Sequence, residues 1–353
     1  MQALKQLIQL IQPADRGFEA IAWERLRSQI RPRGSLGQLE VMAARLAGIG
    51  RTLAPDLSKK LIFTMAGDHG IALEGVSAYP QEVTAQMVYS FVRGWASINV
   101  LAEHVGAQVR VVDCGVAADL PPEWPIIHQK IGKGTRSISR GPAMTREEAV
   151  QGLLVGADLV RGAYRREGFG LIGTGDMGIG NTTPSTAIVA AFSGRPVAEL
   201  TGRGTGVDDA TLGRKIRLIE QALEVNRPNP EDALDVLCKI GGYEIAGLAG
   251  SLLGAASVKV PLVCDGFIAT AGALVACRLV PAAADYLFVS HRSVEVGHQA
   301  MIELLAARPV LDLDMRLGEG TGAALAMNIL EASAKVLMDI KTFAEAGVTD
   351  TGK

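Results

Sequence analysis

Short apolar runs, each closing on glycine beside a polar residue and each trailed by a helical pattern, constrain this chain most. Residues 61–66 end in Gly67-Asp68-His69-Gly70, and 109–112 end in Asp113-Cys114-Gly115. Residues 169–172 feed Gly173-Thr174-Gly175-Asp176, and 260–264 end in Asp265-Gly266. Residues 286–289 lead to Ser290-His291-Arg292-Ser293. Residues 310–313 lead through Asp314 to Leu317-Gly318-Glu319-Gly320-Thr321-Gly322. Amphipathic or Ala-rich segments at 80–105, 145–166, 209–224, 267–280 and 292–307 read as the intervening helices. Apolar strands alternating with helices predict an α/β fold with a doubly wound, mainly parallel, Rossmann-like sheet. Ligands of such sheets lie beyond the carboxyl ends of the strands. Here those ends repeatedly carry Gly with Asp, Ser, His or Glu, which predicts a catalytic cleft.

Both chain ends read as helices. Leu4, Leu7, Ile8 and Ile11 recur at helical spacing, as do Leu36, Leu39, Met42, Ala43 and Leu46. The break at 30–35 offers Ser35 as a helix cap. After Thr321, Leu325, Ile329, Ala332 and Val336 share one face. The expectation is a small helical domain built from 1–55 plus 321–353, around a large catalytic domain at 56–320.

Composition narrows the function classes. The 353 residues are 48% hydrophobic, enough for a large core. A net charge of −2 leaves no basic excess to hold nucleic acid or an anionic membrane. At 5% aromatic residues, base-stacking platforms are not expected. Cys114, Cys238, Cys264 and Cys277 are scattered without CxxC spacing, which argues against zinc and suits a reducing cytoplasm. Cys114 and Cys264 end apolar runs and are expected to be buried. There is no signal-peptide pattern, and no apolar run reaches the roughly eighteen residues of a membrane helix. HExxH, GxSxG and the Walker sequence are absent.

Two glycine clusters carry the chemistry. In 171–185, glycines at 173, 175, 178 and 180 precede Asn181, Thr182 and Thr183, with Pro184 read at the first helical position. The pattern reads as strand, anion loop, helix. Gly173, Gly175 and Gly178 also spell GxGxxG, with Glu199 further on, as a dinucleotide fingerprint asks. Asp176 opposes that reading, because it sits where a pyrophosphate would lie. A loop for a phosphorylated ribose, a dinucleotide cradle and a tight turn that binds nothing remain open on the residues alone. So does a non-catalytic sensor of a nucleotide or an aromatic base. The second cluster, 201–206, is followed by Asp208, Asp209, Arg214 and Lys215. Two glycine loops without a Walker lysine suit a monophosphate ester. Glu319, between two glycines, is the carboxylate suited to general-base work once partly buried. For His69, catalysis and a satisfied strand-end histidine stand level. His291 and His298, two turns apart, are candidates for one helix face, and Asp312 and Asp314 alternate on the last run. Pro80 is read as opening a helix that carries Gln86. Ser77, Tyr79 and Gln86 are candidates for a flat apolar pocket.

Taken in order, the segments GDHG at 67–70, GVS at 75–77, QEVTAQM at 81–87, MGIGNTT at 177–183 and GRGTG at 202–206 form a set. VCDGF at 263–267, SHRS at 290–293 with Gly297-His298, and LGEGTGA at 317–323 complete it. The set resembles the nicotinate-nucleotide–dimethylbenzimidazole phosphoribosyltransferases of cobalamin lower-ligand synthesis, over nearly the whole chain. The resemblance implies conversion of nicotinate mononucleotide and 5,6-dimethylbenzimidazole to α-ribazole 5′-phosphate and nicotinate, with inversion at the anomeric carbon and no metal or cofactor. By motif matching, Glu319 would be the general base. Gly175, Asp176, Gly178, Gly180, Asn181, Thr182, Gly204, Thr205, Gly206, Lys215, Ser290 and Ser293 would hold the donor. Ser77, Tyr79, Gln86, Met177 and Leu317 would surround the acceptor base. A homodimer is implied as well. One departure stands out: the family usually has Glu where this chain has Asp176.

Overall fold

The strands are β1 (Lys60–Gly67), β2 (Ala107–Gly115), β3 (Ile127–His128), β4 (Leu171–Met177), β5 (Leu262–Cys264) and β6 (Leu287–Val289). In this computed structural model, which describes residues 1–204 and 206–350, they form one six-stranded sheet in the order β3-β2-β1-β4-β5-β6. Every pairing is parallel. The strand order reverses between β1 and β4, so the crevice that binds ligands in doubly wound sheets opens beyond Gly67 and Met177. β1 is buried from end to end, as a strand with both faces covered must be.

One cover is the helix Tyr243–Ser257, whose small residues let it lie close. Gly247 rests on Met65 of β1 and Cys114 of β2. The other cover includes the helix Thr321–Asp339, whose Ala323 and Met327 fit against Gly173 of β4. Cys114, Cys238 and Cys264 are buried, and all four thiols are free. The helices Arg16–Arg27, Gln38–Gly50 and Thr321–Asp339 share a cluster of Ala22, Leu26, Ala43, Ala44, Ala47 and Leu337. The first helix, Gln2–Gln9, instead sends Leu4 and Leu7 into the main core. Among the described residues, no helix is long and apolar enough to cross a membrane.

Several local expectations change. Residues 310–313 form no strand. Leu311 makes a single parallel bridge to His291, and Asp314 turns the chain away at a φ of 52°. Asp312 and Asp314 therefore do not alternate on a strand. The segment 80–105 is two helices, Val83–Val92 and Ser97–His104, separated where Gly94 takes a φ of 73°. Thus Pro80 precedes the helix by a turn. The helix read from 292 begins only at Val296. Gly37, not Ser35, precedes Gln38–Gly50. The edge strand β3 has only two residues and offered too short a pattern to be read.

The largest change concerns the first glycine cluster. Gly173 and Gly175 lie inside β4, not in an anion loop. Their role is close packing. A β-carbon on Gly175 would overlap the carbonyl of Glu319 and the nitrogen of Gly320. The dinucleotide reading loses its first two glycines in this way. Gly175→Ala should push the 318–320 segment off β4 at a cost of about 2–3 kcal/mol. The urea midpoint measures this, and an unchanged midpoint would contradict the close approach.

Candidate active site

β4 delivers Asp176 and Met177 to the crevice, and the chain then turns through Gly178–Gly180 into the helix Thr182–Ser193. Pro184 is its third residue, not its first. Asn181 does not cap that helix with its side chain. Its amide instead donates to Asp176 Oδ2 at 3.0 Å and closes the turn. The Ile179 N–H donates to Thr84 Oγ1 at 3.1 Å, which ties the turn to the helix Val83–Val92. Burial, with the neighbouring Asp265 and Glu244 carboxylates, raises the Asp176 carboxyl well above the usual range.

The second wall is the glutamate loop. Gly318, Glu319 and Gly320 have φ values of 91°, 65° and 102°. A non-glycine residue in this left-handed region is strained and persists only where its surroundings hold it. Thr64 Oγ1 donates to the Glu319 carbonyl at 2.9 Å, and the Glu319 N–H donates to the Asp176 carbonyl at 3.2 Å. Asp265, at the end of β5, accepts the N–H groups of Gly320 at 2.8 Å, Gly322 at 2.8 Å and Ala323 at 3.2 Å. It thereby caps the helix Thr321–Asp339 and fixes the loop together. The Glu319 carboxylate is buried and accepts the Ile98 N–H at 3.2 Å, in the first turn of Ser97–His104. Burial raises its pKa above the ordinary value, against the opposing pull of that N–H.

A buried lysine supports the third wall. Lys215, on the helix Asp209–Asn226, donates to Thr182 Oγ1 at 2.7 Å and faces the Gly202 carbonyl at 3.4 Å. Burial lowers its pKa to about 8. Gly204 lies beside Thr182 with a φ of 53°, and Gly206 has a φ of 96°. Thr205 lies outside the described residues.

The fourth wall follows β6. Ser290 Oγ donates to the Asp265 carbonyl at 3.1 Å and lies 2.8 Å from His291 Nδ1. His298 Nδ1 accepts the Ser293 N–H at 3.0 Å. Burial holds His291 at about 4 and His298 at about 3, so both are neutral near pH 7. They do not share a helix face, because His291 precedes the helix Val296–Leu304. His69 is buried, with Nε2 2.7 Å from Glu244 Oε1, beneath Gly178. That is the satisfied-histidine alternative.

These walls enclose a cleft of about 270 Å³. Of the residues expected from sequence, Tyr79, Asp176, Met177, Gly178, Asn181, Thr182, Gly204, Ser293 and Leu317 line it together. Gly175 and Gly180 lie behind the wall, Lys215 supports it through Thr182, and Ser290 supports it through His291. Gly206, Ser77, Gln86 and the Glu319 side chain are outside this lining. Ser77 is half-buried and accepts the Tyr79 N–H at 3.2 Å, and Gln86 is exposed. His291, Glu295, Arg316 and Phe267 line the cleft without having been given a role from sequence. Glu295 falls within the segment read as a helix from 292, and nothing in the local sequence sets it apart. Asp265 looked like any strand-end aspartate, and only the fold brings it to residues 320–323.

Comparison with known proteins identifies the family of the fold. A family model described as phosphoribosyltransferase matches residues 11–348. The nicotinate-nucleotide–dimethylbenzimidazole phosphoribosyltransferase of Syntrophobacter fumaroxidans is 69% identical over 352 residues, covering 100% of both chains. The enzyme of the same name from Geobacter sulfurreducens is 56% identical, covering 99% of each. The chain belongs to this phosphoribosyltransferase family. The crystal structure of the family member from Thermus thermophilus superposes with a TM-score of 0.90 at 43% identity, covering 95% of this chain and 99% of that one. In this phosphoribosyltransferase, Asp265→Asn would turn an amide N–H₂ toward backbone donors. The substitution should cost about 2–3 kcal/mol by leaving buried N–H groups unpaired. Thermal and urea unfolding would measure it, and a variant as stable as the parent would deny Asp265 its anchoring role.

Proposed function

We propose that the protein transfers the 5-phosphoribosyl group of nicotinate mononucleotide to 5,6-dimethylbenzimidazole. Nicotinate leaves and α-ribazole 5′-phosphate forms. A benzimidazole ring nitrogen attacks the anomeric carbon from the face opposite nicotinate, so the β-linked donor gives an α-linked product. The glycosidic electron pair returns to the pyridinium nitrogen, which leaves neutral. The proton on the other benzimidazole nitrogen goes to Glu319.

The observation that carries the reading is Glu319 itself. It is a buried carboxylate with a raised pKa, on a strained loop bonded to the strand that delivers Asp176 and Met177. A base whose pKa is lifted toward neutrality transfers protons best. Its carboxylate leaves the Ile98 N–H, or shares it, as the acceptor arrives. Lys215 with Asn181, Thr182, Gly204, Thr205 and Gly206 receives the phosphate, and Gly175, Gly178, Gly180, Ser290 and Ser293 shape that wall. Tyr79, Met177 and Leu317, with Ser77 and Gln86 nearby, take the flat base. We also propose that the protein is a homodimer located in the cytoplasm, and that 1–55 with 321–353 act as a small helical domain. The cluster shared by Ala22, Ala43 and Leu337 supports that last point.

Incubation with nicotinate mononucleotide and a panel of benzimidazoles, purines and phenols, read by mass spectrometry, tests the reaction. No product with any base would refute it. Glu319→Gln should lower turnover by roughly 10²–10⁴-fold with donor affinity unchanged. Full activity in that variant would remove Glu319 as the base. The pH profile is expected to have two limbs. On the acid side kcat/KM rises as Glu319 loses its proton. On the alkaline side kcat/KM for the donor falls above about 8, where the free Lys215 loses its charge. A profile flat from pH 7 to 10 would separate Lys215 from phosphate binding.

A further inference from the structure

Three buried polar atoms that belong to cleft-lining residues have no hydrogen-bond partner among the described residues: Asp176 Oδ1, His291 Nε2 and Glu295 Oε2. A carboxylate oxygen removed from water without a donor is costly, and a folded protein rarely keeps one without use. Glu295 is only 8% exposed. Its backbone is fixed by its own N–H, which donates to Ser293 Oγ at 3.3 Å. The side chain lies against the second glycine cluster, where a β-carbon on Gly202 would overlap Oε2. The Gly202 carbonyl faces the Lys215 ammonium at 3.4 Å. Glu295 therefore stands on the side of the cleft assigned to phosphate. Asp176, by contrast, lies against Gly318, next to Leu317.

We infer that Glu295 receives a hydroxyl of the donor's ribose. The inference rests on the mononucleotide reading above. An ionised carboxylate only accepts, so its ligand must bring a donor. The phosphate brings none at neutral pH and is repelled by it. The nicotinate carboxylate is excluded for the same reason. The benzimidazole N–H is already assigned to Glu319. The groups of the two substrates that remain are the ribose 2′- and 3′-hydroxyls. The ribose is joined to the phosphate through one methylene, so a carboxylate beside the phosphate wall is within its reach. Lys215 offsets the repulsion between Glu295 and the phosphate.

The experiment compares nicotinate mononucleotide with its 2′-deoxy and 3′-deoxy analogues. Donor binding by calorimetry and donor KM are measured for the parent, Glu295→Gln and Glu295→Ala. The parent should lose roughly 10–100-fold in affinity for at least one deoxy donor, the range of a hydrogen bond to a charged group. Glu295→Ala should lose a similar factor for the ribose donor and nothing further for that deoxy donor. The acceptor KM should not move. Equal losses for ribose and deoxyribose donors in Glu295→Ala would overturn the proposal, as would an effect on the acceptor KM alone. Should the variants fail to fold, the parent decides: equal affinity for all three donors overturns it. A parent that binds no nicotinate mononucleotide and forms no product refutes the donor reading itself. A parent that binds and turns over, with Glu295 indifferent to the hydroxyls, refutes only this inference.

Discussion

Asp265 holds three backbone N–H groups at once, and the geometry of the glutamate loop follows from that grip. It reaches from the end of β5 to Gly320, Gly322 and Ala323. Those bonds start the helix Thr321–Asp339 and compel the three residues before it into left-handed backbone. The loop then lies on β4, where Gly175 leaves room for it, and Thr64 of β1 holds the Glu319 carbonyl. β1 and β4 thus both bond the Glu319 backbone, and the residue after the end of β5 holds Gly320 beside it. A strained glutamate persists here because its neighbours over-determine it.

The charge distribution around the cleft is uneven in a useful way. Asp176, Asp265, Glu295 and Glu319 are all buried near it, and so is Lys215. Asp265 is satisfied by backbone donors, and Glu319 by one. Burial raises Asp176, with help from neighbouring carboxylates, and burial raises Glu319 and lowers Lys215. These opposite displacements are what low-dielectric surroundings impose on acids and bases. They bring a carboxylate and an ammonium toward the pH range in which small changes of environment switch their charge.

The central part of the sheet was legible because its strands carry short apolar runs, a consequence of burial on both faces. β1, β2 and β4 in particular could be read within a few residues. The cleft was legible as a cluster of strand ends, and Met177, Asn181 and Thr182 meet there as the sequence implied. What could not be read was the purpose of each glycine. Gly173 and Gly175 look like loop residues in one dimension, yet they are strand residues emptied of side chain for a neighbour far along the chain. Asp265 and Glu295 share that difficulty. Their roles depend on long-range approach, and local spacing carries no trace of it. The run at 310–313 failed for the opposite reason. Its apolar pattern was adequate, but only one bridge beside His291 was available to it.

The contact at Gly175 has a mechanical consequence. With no gap between β4 and the glutamate loop, the backbone beneath Glu319 shares the stiffness of the sheet. Whatever travel the carboxylate makes is confined to its own side-chain torsions. Such rotations belong to the picosecond-to-nanosecond range, whereas rearrangement of a loop takes far longer. The Glu319 carboxylate is in effect a short lever on a rigid mount, and its stroke costs the fold no rearrangement.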